Sequence, residues 1–321
     1  MLAAIGFDIS MPRAAEKSHV TPRGRHRPRL PHMLRPPRFS ALALTLHILA
    51  LSVRPSLPSP DGSAPSPPTL SARSKLVFIL AGQSNMAGRG GVVNGTWDGV
   101  VPRECRPNPS IQRLTADLRW VEARDPLHAD IDVNKTCGVG PGMPFARSIR
   151  SWLRRSAEPV DVGLVPCAIG GTGIDLWGKG TQLYEQMVRR ARAAARGACG
   201  GVIQALLWYQ GESDTETQAA AESYRAKMER LICDVRADLG LPELLVIQVL
   251  LASGQGRFLE TVREAQRGVR LPNVAWVDAK GLPLEADQLH LSTPGEVMLG
   301  EMLAAAYRRH SEGITNTAAL S

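Results

Sequence analysis

"FILAGQSNMAG", residues Phe78–Gly88, is an apolar run that breaks off at Gly82, Gln83, Ser84 and Asn85 and then turns apolar again. Leu76–Leu80 reads as a short interior strand, and Asn85 onward can open a helix. Open α/β folds place their chemistry at such joints, beyond the carboxyl ends of the strands. A serine at this joint is either a nucleophile or a helix cap, and the residues that converge on it decide between the two.

The chain has 321 residues, 44% of them hydrophobic, enough for one large or two small globular cores. Its net charge of +8 is unevenly spread: residues 1–74 hold 10 Lys/Arg against 3 Asp/Glu, whereas the other 247 hold 28 against 27. The basic excess is therefore a property of the leader, and a basic nucleic-acid-binding face is not expected. Twelve of the 24 prolines also lie in residues 1–74, in runs such as "PSLPSPDGSAPSPP". That composition cannot bury enough apolar surface to offset chain entropy, so a disordered leader is expected over 1–74. Within it, "FSALALTLHILALSV", Phe39–Val53, has the length of a signal-peptide hydrophobic region and is short for a spanning helix. It follows Arg35 and Arg38, and Met33 lies just upstream. Secretion is the expectation, with an organellar transit peptide and a retained anchor as alternatives. Once the leader is cleaved, no stable membrane association is expected.

Beyond the leader the chain alternates apolar runs with helical patterns. Candidate strands are Leu76–Leu80, Val162–Pro166, Ile203–Trp208, Leu244–Val249 and Val274–Val277. Candidate helices lie near Met143–Arg154, Leu183–Arg196, Ala219–Asp238, Leu259–Gly268 and Gly295–Arg309. Strand followed by helix five times argues for a mainly parallel five-stranded sheet with helices on both faces, a three-layer α/β/α sandwich. The folded domain is expected over 75–310, with a flexible tail at 311–321. Gly90–Gly142, rich in Pro, Gly and Asp, reads as a loop insertion over the site with one short strand near Leu118–Val121.

Loops after the strands of such a sheet collect at one edge. They carry "AGQSNMAG", "CAIGGTGIDLW", "WYQGESD" and "DAKGLPLEADQLHLS"; only the fourth strand delivers nothing polar. This set suggests acyl transfer. A serine hydroxyl needs an imidazole to take its proton, and the imidazole needs an acceptor on its other nitrogen. Four of the seven histidines lie in the leader and His310 in the tail, which leaves His128 and His290. Asp287 and His290 are three apart, a spacing that shares one face of a helical turn. The oxyanion would need the N–H of Ser84, a backbone N–H of Gly170 or Gly171, and a side-chain amide such as Gln210. Each piece has a plainer reading: Ser84 as a cap, Gln210–Asp214 as a helix start, "AIGG" as close packing or a phosphate turn. None of the five cysteines has metal-ligand spacing, so no metal and no cofactor are expected. Cys105 and Cys137 fall in loop-like sequence and are placed to pair in an oxidising compartment, while Cys167 reads as a core residue.

Taken together, GQSN at Gly82–Asn85, Gly170–Gly171, WYQGESD at Trp208–Asp214 and DxxH at Asp287–His290 resemble the SGNH-hydrolase superfamily. More narrowly they resemble its sialate O-acetylesterase-like (SASA) branch, close to the plant carbohydrate esterases of family 6. The likeness covers about residues 75–310. It implies a three-layer α/β/α hydrolase acting on O-acetyl groups of an acetylated carbohydrate, with Ser84 as nucleophile, His290 as general base and Asp287 as its orienter. Backbone N–H groups of Ser84 and of Gly171 or Gly170 would line the oxyanion hole. The superfamily's third block usually supplies an asparagine; Gln210 stands nearest that position and is assigned the third donor. Gln83, Asn85, Arg89, Glu212 and Trp177 are expected to meet the substrate. Arg89, Trp97, Asp98, Arg103 and Trp177 suggest a wet, sugar-stacking cleft. A monomer acting on cell-wall polysaccharide is expected. The alternatives are a lipase-like or aryl ester hydrolase and a catalytically silent glycan-binding protein.

Overall fold

The computed structural model describes residues 74–153, 160–196 and 200–318. The basic leader up to residue 73, its apolar segment Phe39–Val53, and Cys199 lie outside the described residues.

After β1 (Ser74–Gly82) come one turn of helix, α1 (Ser84–Ala87), and a hairpin of β2 (Val92–Val93) and β3 (Thr96–Trp97). The segment that follows holds β4 (Ile111–Leu114) and β5 (Trp120–Glu122). Helices and strands then alternate: α2 (Gly142–Leu153), β6 (Val160–Pro166), α3 (Gln182–Ala194) and β7 (Val202–Tyr209). They continue with α4 (Gln218–Leu239), β8 (Leu245–Leu250), α5 (Leu259–Arg267), β9 (Val274–Asp278) and α6 (Thr293–Ala318).

Among the described residues one large sheet runs β5-β4-β6-β1-β7-β8-β9, parallel except at the β4–β5 edge. Strand β1 is central, and Val77–Ala81 are fully buried. A strand with neighbours on both sides and helices over both faces has no wet side, which is why it reads as an unbroken apolar run. Phe78 packs edge-to-face on Phe145 of α2 at 4.8 Å and on Tyr307 of α6 at 5.0 Å. Helices α3, α4 and α5 pack in sequence on the opposite face. The three-layer α/β/α architecture is as expected.

The strand count differs. Seven strands stand where five were expected, because the 90–142 segment adds an antiparallel pair to one edge. Strand β5 answers to the short strand expected near Leu118–Val121. The four residues of β4 are too few for alternation to register, and "IQRL" carries polar side chains on a half-wet edge. This edge is tied down from below. Buried Arg190 of α3 donates to the carbonyls of Leu114, Thr115 and Pro166, joining the ends of β4 and β6. Helix α6 continues to Ala318, through most of the segment expected as a tail, since no proline interrupts its ladder after Arg309.

At the carboxyl end of β1, Gly82 has φ +129°, and a Cβ there would stand 2.0 Å from the carbonyl oxygen of Tyr209 in β7. Gln83 N–H then donates to that same oxygen at 2.8 Å. Only glycine lets the chain turn from strand to helix while pressed against the neighbouring strand. Gly82→Ala should therefore cost about 3 kcal/mol or more, through steric overlap and backbone strain. Urea unfolding checks this: the midpoint should fall with the slope unchanged, and an unaltered midpoint would contradict the packing described.

Candidate active site

The turn after Gly82 places Ser84 in the first turn of α1, with 6% of its surface exposed. Ser84 Oγ lies 3.0 Å from His290 Nε2, and His290 Nδ1 lies 2.6 Å from Asp287 Oδ2. A carboxylate can only accept, so Nδ1 carries the ring proton and the Nε2 lone pair faces the serine hydroxyl. Ser84 is thus no helix cap, for Gln83 stands at the N-cap of α1 and Ser84 turns its hydroxyl to the imidazole.

Asp287 and His290 do not share a helical turn. They sit on the loop between β9 and α6, and the three-residue spacing works through an Asx-type turn. Asp287 Oδ1 accepts the N–H groups of Leu289 and His290, each at 2.9 Å, while Gln288 takes a left-handed φ of +56°. The same carboxylate thereby shapes the backbone and orients the ring. Partial burial opposes its ionisation. The hydrogen bonds from the His290 backbone, the His290 ring and the Leu289 N–H outweigh this and hold the carboxyl below its ordinary range.

The N–H groups of Ser84 and of Gly171, residues that share one cavity, have no hydrogen-bond partner among the described residues. Gly171 has φ +73°, a left-handed backbone conformation that glycine adopts without a Cβ penalty. Gly170 is not equivalent, because its N–H donates to Asp132 Oδ2 at 3.1 Å. Gln210 is a correction. It is fully buried, and its Nε2 is engaged by Gln83 Oε1 at 3.2 Å, Thr172 O at 3.0 Å and Asp214 Oδ2 at 2.5 Å. An amide with three acceptors already around it holds strand ends together and is not free to meet an oxyanion.

The other residues expected to meet substrate divide sharply. Arg89 lines a cavity of about 130 Å³ with Ser84, Lys135, Gly170, Gly171, Gln255 and His290. Its guanidinium pairs with Asp132 at 2.5 Å, so its charge is largely matched. Gln83, Asn85, Glu212 and Trp177 are buried and line none of the cavities around Ser84. Trp177 packs edge-to-face on Trp208 at 5.3 Å and donates Nε1–H to Thr172 Oγ1, a core role rather than a sugar platform. Trp97 belongs to the β2–β3 hairpin, Asp98 caps Val100 N–H, and Arg103 pairs with Glu104 in solvent. Among the described residues no aromatic side chain lines the cleft, and the stacking expectation is not met.

Lys135, Asp132 and Gln255 were not singled out in the sequence. The first two lie in the long insertion, and Gln255 follows β8, the strand expected to deliver nothing polar. Lys135 also borders an adjoining hollow of about 230 Å³ that runs past His290 and Asp287 to Asn94 and Thr136. His128, the other remaining histidine, is buried beside the Leu80 backbone and pushed down to about 3 by burial, so it stays neutral. Cys105, Cys137 and Cys167 are free thiols; Cys137 Sγ accepts from Arg89 Nη1 at 3.5 Å and forms no disulfide with Cys105.

The chain is similar to known proteins of one family. A family model described as carbohydrate esterase, sialic acid-specific acetylesterase, matches residues 74–309. A probable carbohydrate esterase from Arabidopsis thaliana is 52% identical over 262 residues, covering 80% of this chain and 96% of that protein. The X-ray structure of an Arabidopsis thaliana protein aligns with TM-score 0.69 at 54% identity, over 73% of this chain and 98% of the other. The crystal structure of NanS aligns with TM-score 0.59 at 17% identity, over 76% of this chain and 100% of that one, a likeness of fold.

Burial raises three carboxyls, Asp125 and Glu212 to about 7 and Glu296 well above its usual range. In the unfolded chain these groups titrate near 4. The folded state therefore holds protons that the unfolded state has released, so stability declines as pH rises from about 4 through about 7. His128 works the other way, but its contribution is complete above its unfolded value of roughly 6.5. The urea midpoint should accordingly fall between pH 6.5 and pH 8, and Asp125→Asn should flatten that fall. A midpoint that rises over this interval would contradict the burial assigned to these acids.

Proposed function

The chain is a carboxylic ester hydrolase of the family described as carbohydrate esterase, sialic acid-specific acetylesterase, and we propose that it removes acetyl groups from carbohydrate through an acyl-enzyme on Ser84. The observation that supports this most directly is the continuous hydrogen-bonded line from Ser84 Oγ through His290 to Asp287.

In the proposed reaction Ser84 Oγ attacks the acetyl carbon as His290 Nε2 takes the hydroxyl proton. The carbonyl oxygen becomes an oxyanion facing the unpartnered N–H groups of Ser84 and Gly171. Asp287, ionised throughout, stabilises the imidazolium through the Nδ1 proton. Collapse of the tetrahedral species breaks the ester bond, and the sugar oxygen leaves with the proton from His290. Water then gives a proton to His290 and attacks the acyl carbon, a second collapse frees acetic acid, and Ser84 regains its proton.

The cavity supports a short acyl group on a polar alcohol. It is small, about 130 Å³, and is lined by Arg89, Lys135, Gln255, glycine backbone and the catalytic residues, with no apolar channel for a long chain. The adjoining 230 Å³ hollow, with Asn94, Thr136 and Lys135 on its walls, is suited to sugar hydroxyls. Under the secretory reading of Phe39–Val53, the substrate would be an acetylated cell-wall polysaccharide.

Acetate release from a panel of acetylated glycans tests the reading. Ser84→Ala should abolish turnover with the fold intact by circular dichroism, and Asp287→Asn should lower kcat by about 10⁴. Undiminished acetate release from Ser84→Ala, or faster hydrolysis of long-chain esters than of acetylated glycans by the native enzyme, would overturn it.

A further inference from the structure

Asn85 follows the nucleophile in the chain and Leu291 follows the base, and these two neighbours are themselves bonded. Asn85 Oδ1 accepts the N–H of Leu291 at 2.9 Å, and Asn85 Nδ2 reaches the carbonyl of Leu289 at 3.4 Å. One side-chain amide thus grips the backbone on both sides of His290. The same Nδ2 donates to Glu212 Oε1 at 2.7 Å, and both Asn85 and Glu212 are fully buried.

The two ends of an amide are nearly the same shape and opposite in hydrogen-bonding sense. Glu212 Oε1 accepts from Asn85 Nδ2, which turns the nitrogen of Asn85 toward Glu212 and leaves the oxygen for Leu291. In the reversed orientation Nδ2 would face the Leu291 N–H, donor against donor, and the bond that fixes Leu291 would be lost. Little else on the loop could set this distance. Asp287 is 49% exposed on its side chain, Gln288 is in a left-handed conformation, and the bond from Glu285 N–H to His290 O is internal to the loop. The anchors from outside are Asn85, Ser253 Oγ on Leu289 O, and the contact of Gly91 N–H with Glu285.

A packing role alone does not account for an acid here. Glu212 Oε2 has no hydrogen-bond partner among the described residues. A buried, half-satisfied carboxyl is costly, and an apolar side chain of the same volume would serve packing better. We propose that Glu212 is a positioning residue of the esterase: acting through the Asn85 amide, it holds His290 within hydrogen-bond reach of Ser84. The residue expected to touch substrate instead acts from behind, linking the loop after β7 to the nucleophile after β1 and the base after β9. This inference rests on the Ser84 reading above and goes beyond it by adding a part to the machinery.

The experiment compares kcat and KM for an acetyl ester in the native enzyme, Glu212→Leu, Glu212→Gln, Asn85→Ala, the Asn85→Ala/Glu212→Leu double variant, and Ser84→Ala. Displacement of a base by about an ångström costs on the order of 100-fold. Glu212→Leu should lose about that much in kcat with KM nearly unchanged. Glu212→Gln, whose Oε1 can take the same bond, should recover most of the loss. Because Glu212 acts through Asn85, the double variant should be no slower than Asn85→Ala alone.

Full kcat in folded Glu212→Leu would overturn the proposal, as would independent, multiplying losses in the double variant. Should Glu212→Leu and the closer-shaped Glu212→Met both fail to fold while Glu212→Gln folds, the residue serves stability and the proposal also falls. Ser84→Ala separates the two levels. An inactive Ser84→Ala beside an unimpaired Glu212→Leu removes only the strut. An active Ser84→Ala removes the reading on which it stands.

Discussion

A single contact, Ser84 Oγ to His290 Nε2 at 3.0 Å, joins residues 206 positions apart, and the rest of the fold serves to keep it. Neither side chain can secure it alone. The hydroxyl comes from a one-turn helix fixed at the end of the central strand, where Gly82 lets β1 run flush against β7. The imidazole comes from a loop with half-exposed carboxylate at its tip. Precision on the first side is inherited from the sheet, whereas on the second it must be imposed by hydrogen bonds from outside the loop. That difference explains why so many buried polar groups gather behind the site.

Those groups form connected sets. Gln83, Gln210, Thr172 and Asp214 tie the ends of β1, β6 and β7 together beneath the cleft floor. Asp132 reaches from the long insertion to both Arg89 and the Gly170 amide, which fixes the glycine turn and leaves Gly171 to present its N–H. Asn85 and Glu212 complete the arrangement on the histidine side. The network is not fully satisfied, since Gln83 Nε2, Gln210 Oε1 and Glu212 Oε2 have no hydrogen-bond partner among the described residues. The bonds it does make converge on the two elements that carry Ser84 and His290. The insertion, which looked like loop sequence, is therefore part of the framework: its strands extend the sheet and its Asp132 holds the turn at Gly170.

Much of this was legible in the sequence, for physical reasons. Buried parallel strands are unbroken apolar runs, and polar residues after them collect at one edge, so Ser84, Asp287 and His290 could be placed together before any coordinates. The geometry between Asp287 and His290 was not legible, because a spacing of three fits a helical turn and an Asx turn equally; only the left-handed Gln288 distinguishes them. Roles within the polar set were also hidden. Gln210, Trp177 and Glu212 have the chemistry of donors and platforms, and nothing local to the chain says whether such a side chain points into a cleft or into the core. Residues drawn from irregular sequence, Lys135 and Asp132, carried no periodic signal at all.

The central claim is that Ser84 is made nucleophilic by His290. Treating the native enzyme with a fluorophosphonate ester and locating the adduct by peptide mass spectrometry tests it most directly, since the reagent records which oxygen attacks. One adduct on Ser84, formed in step with loss of activity and absent from His290→Ala, is the expected result. An adduct on a different residue, or an enzyme that stays unlabelled and fully active, would contradict it.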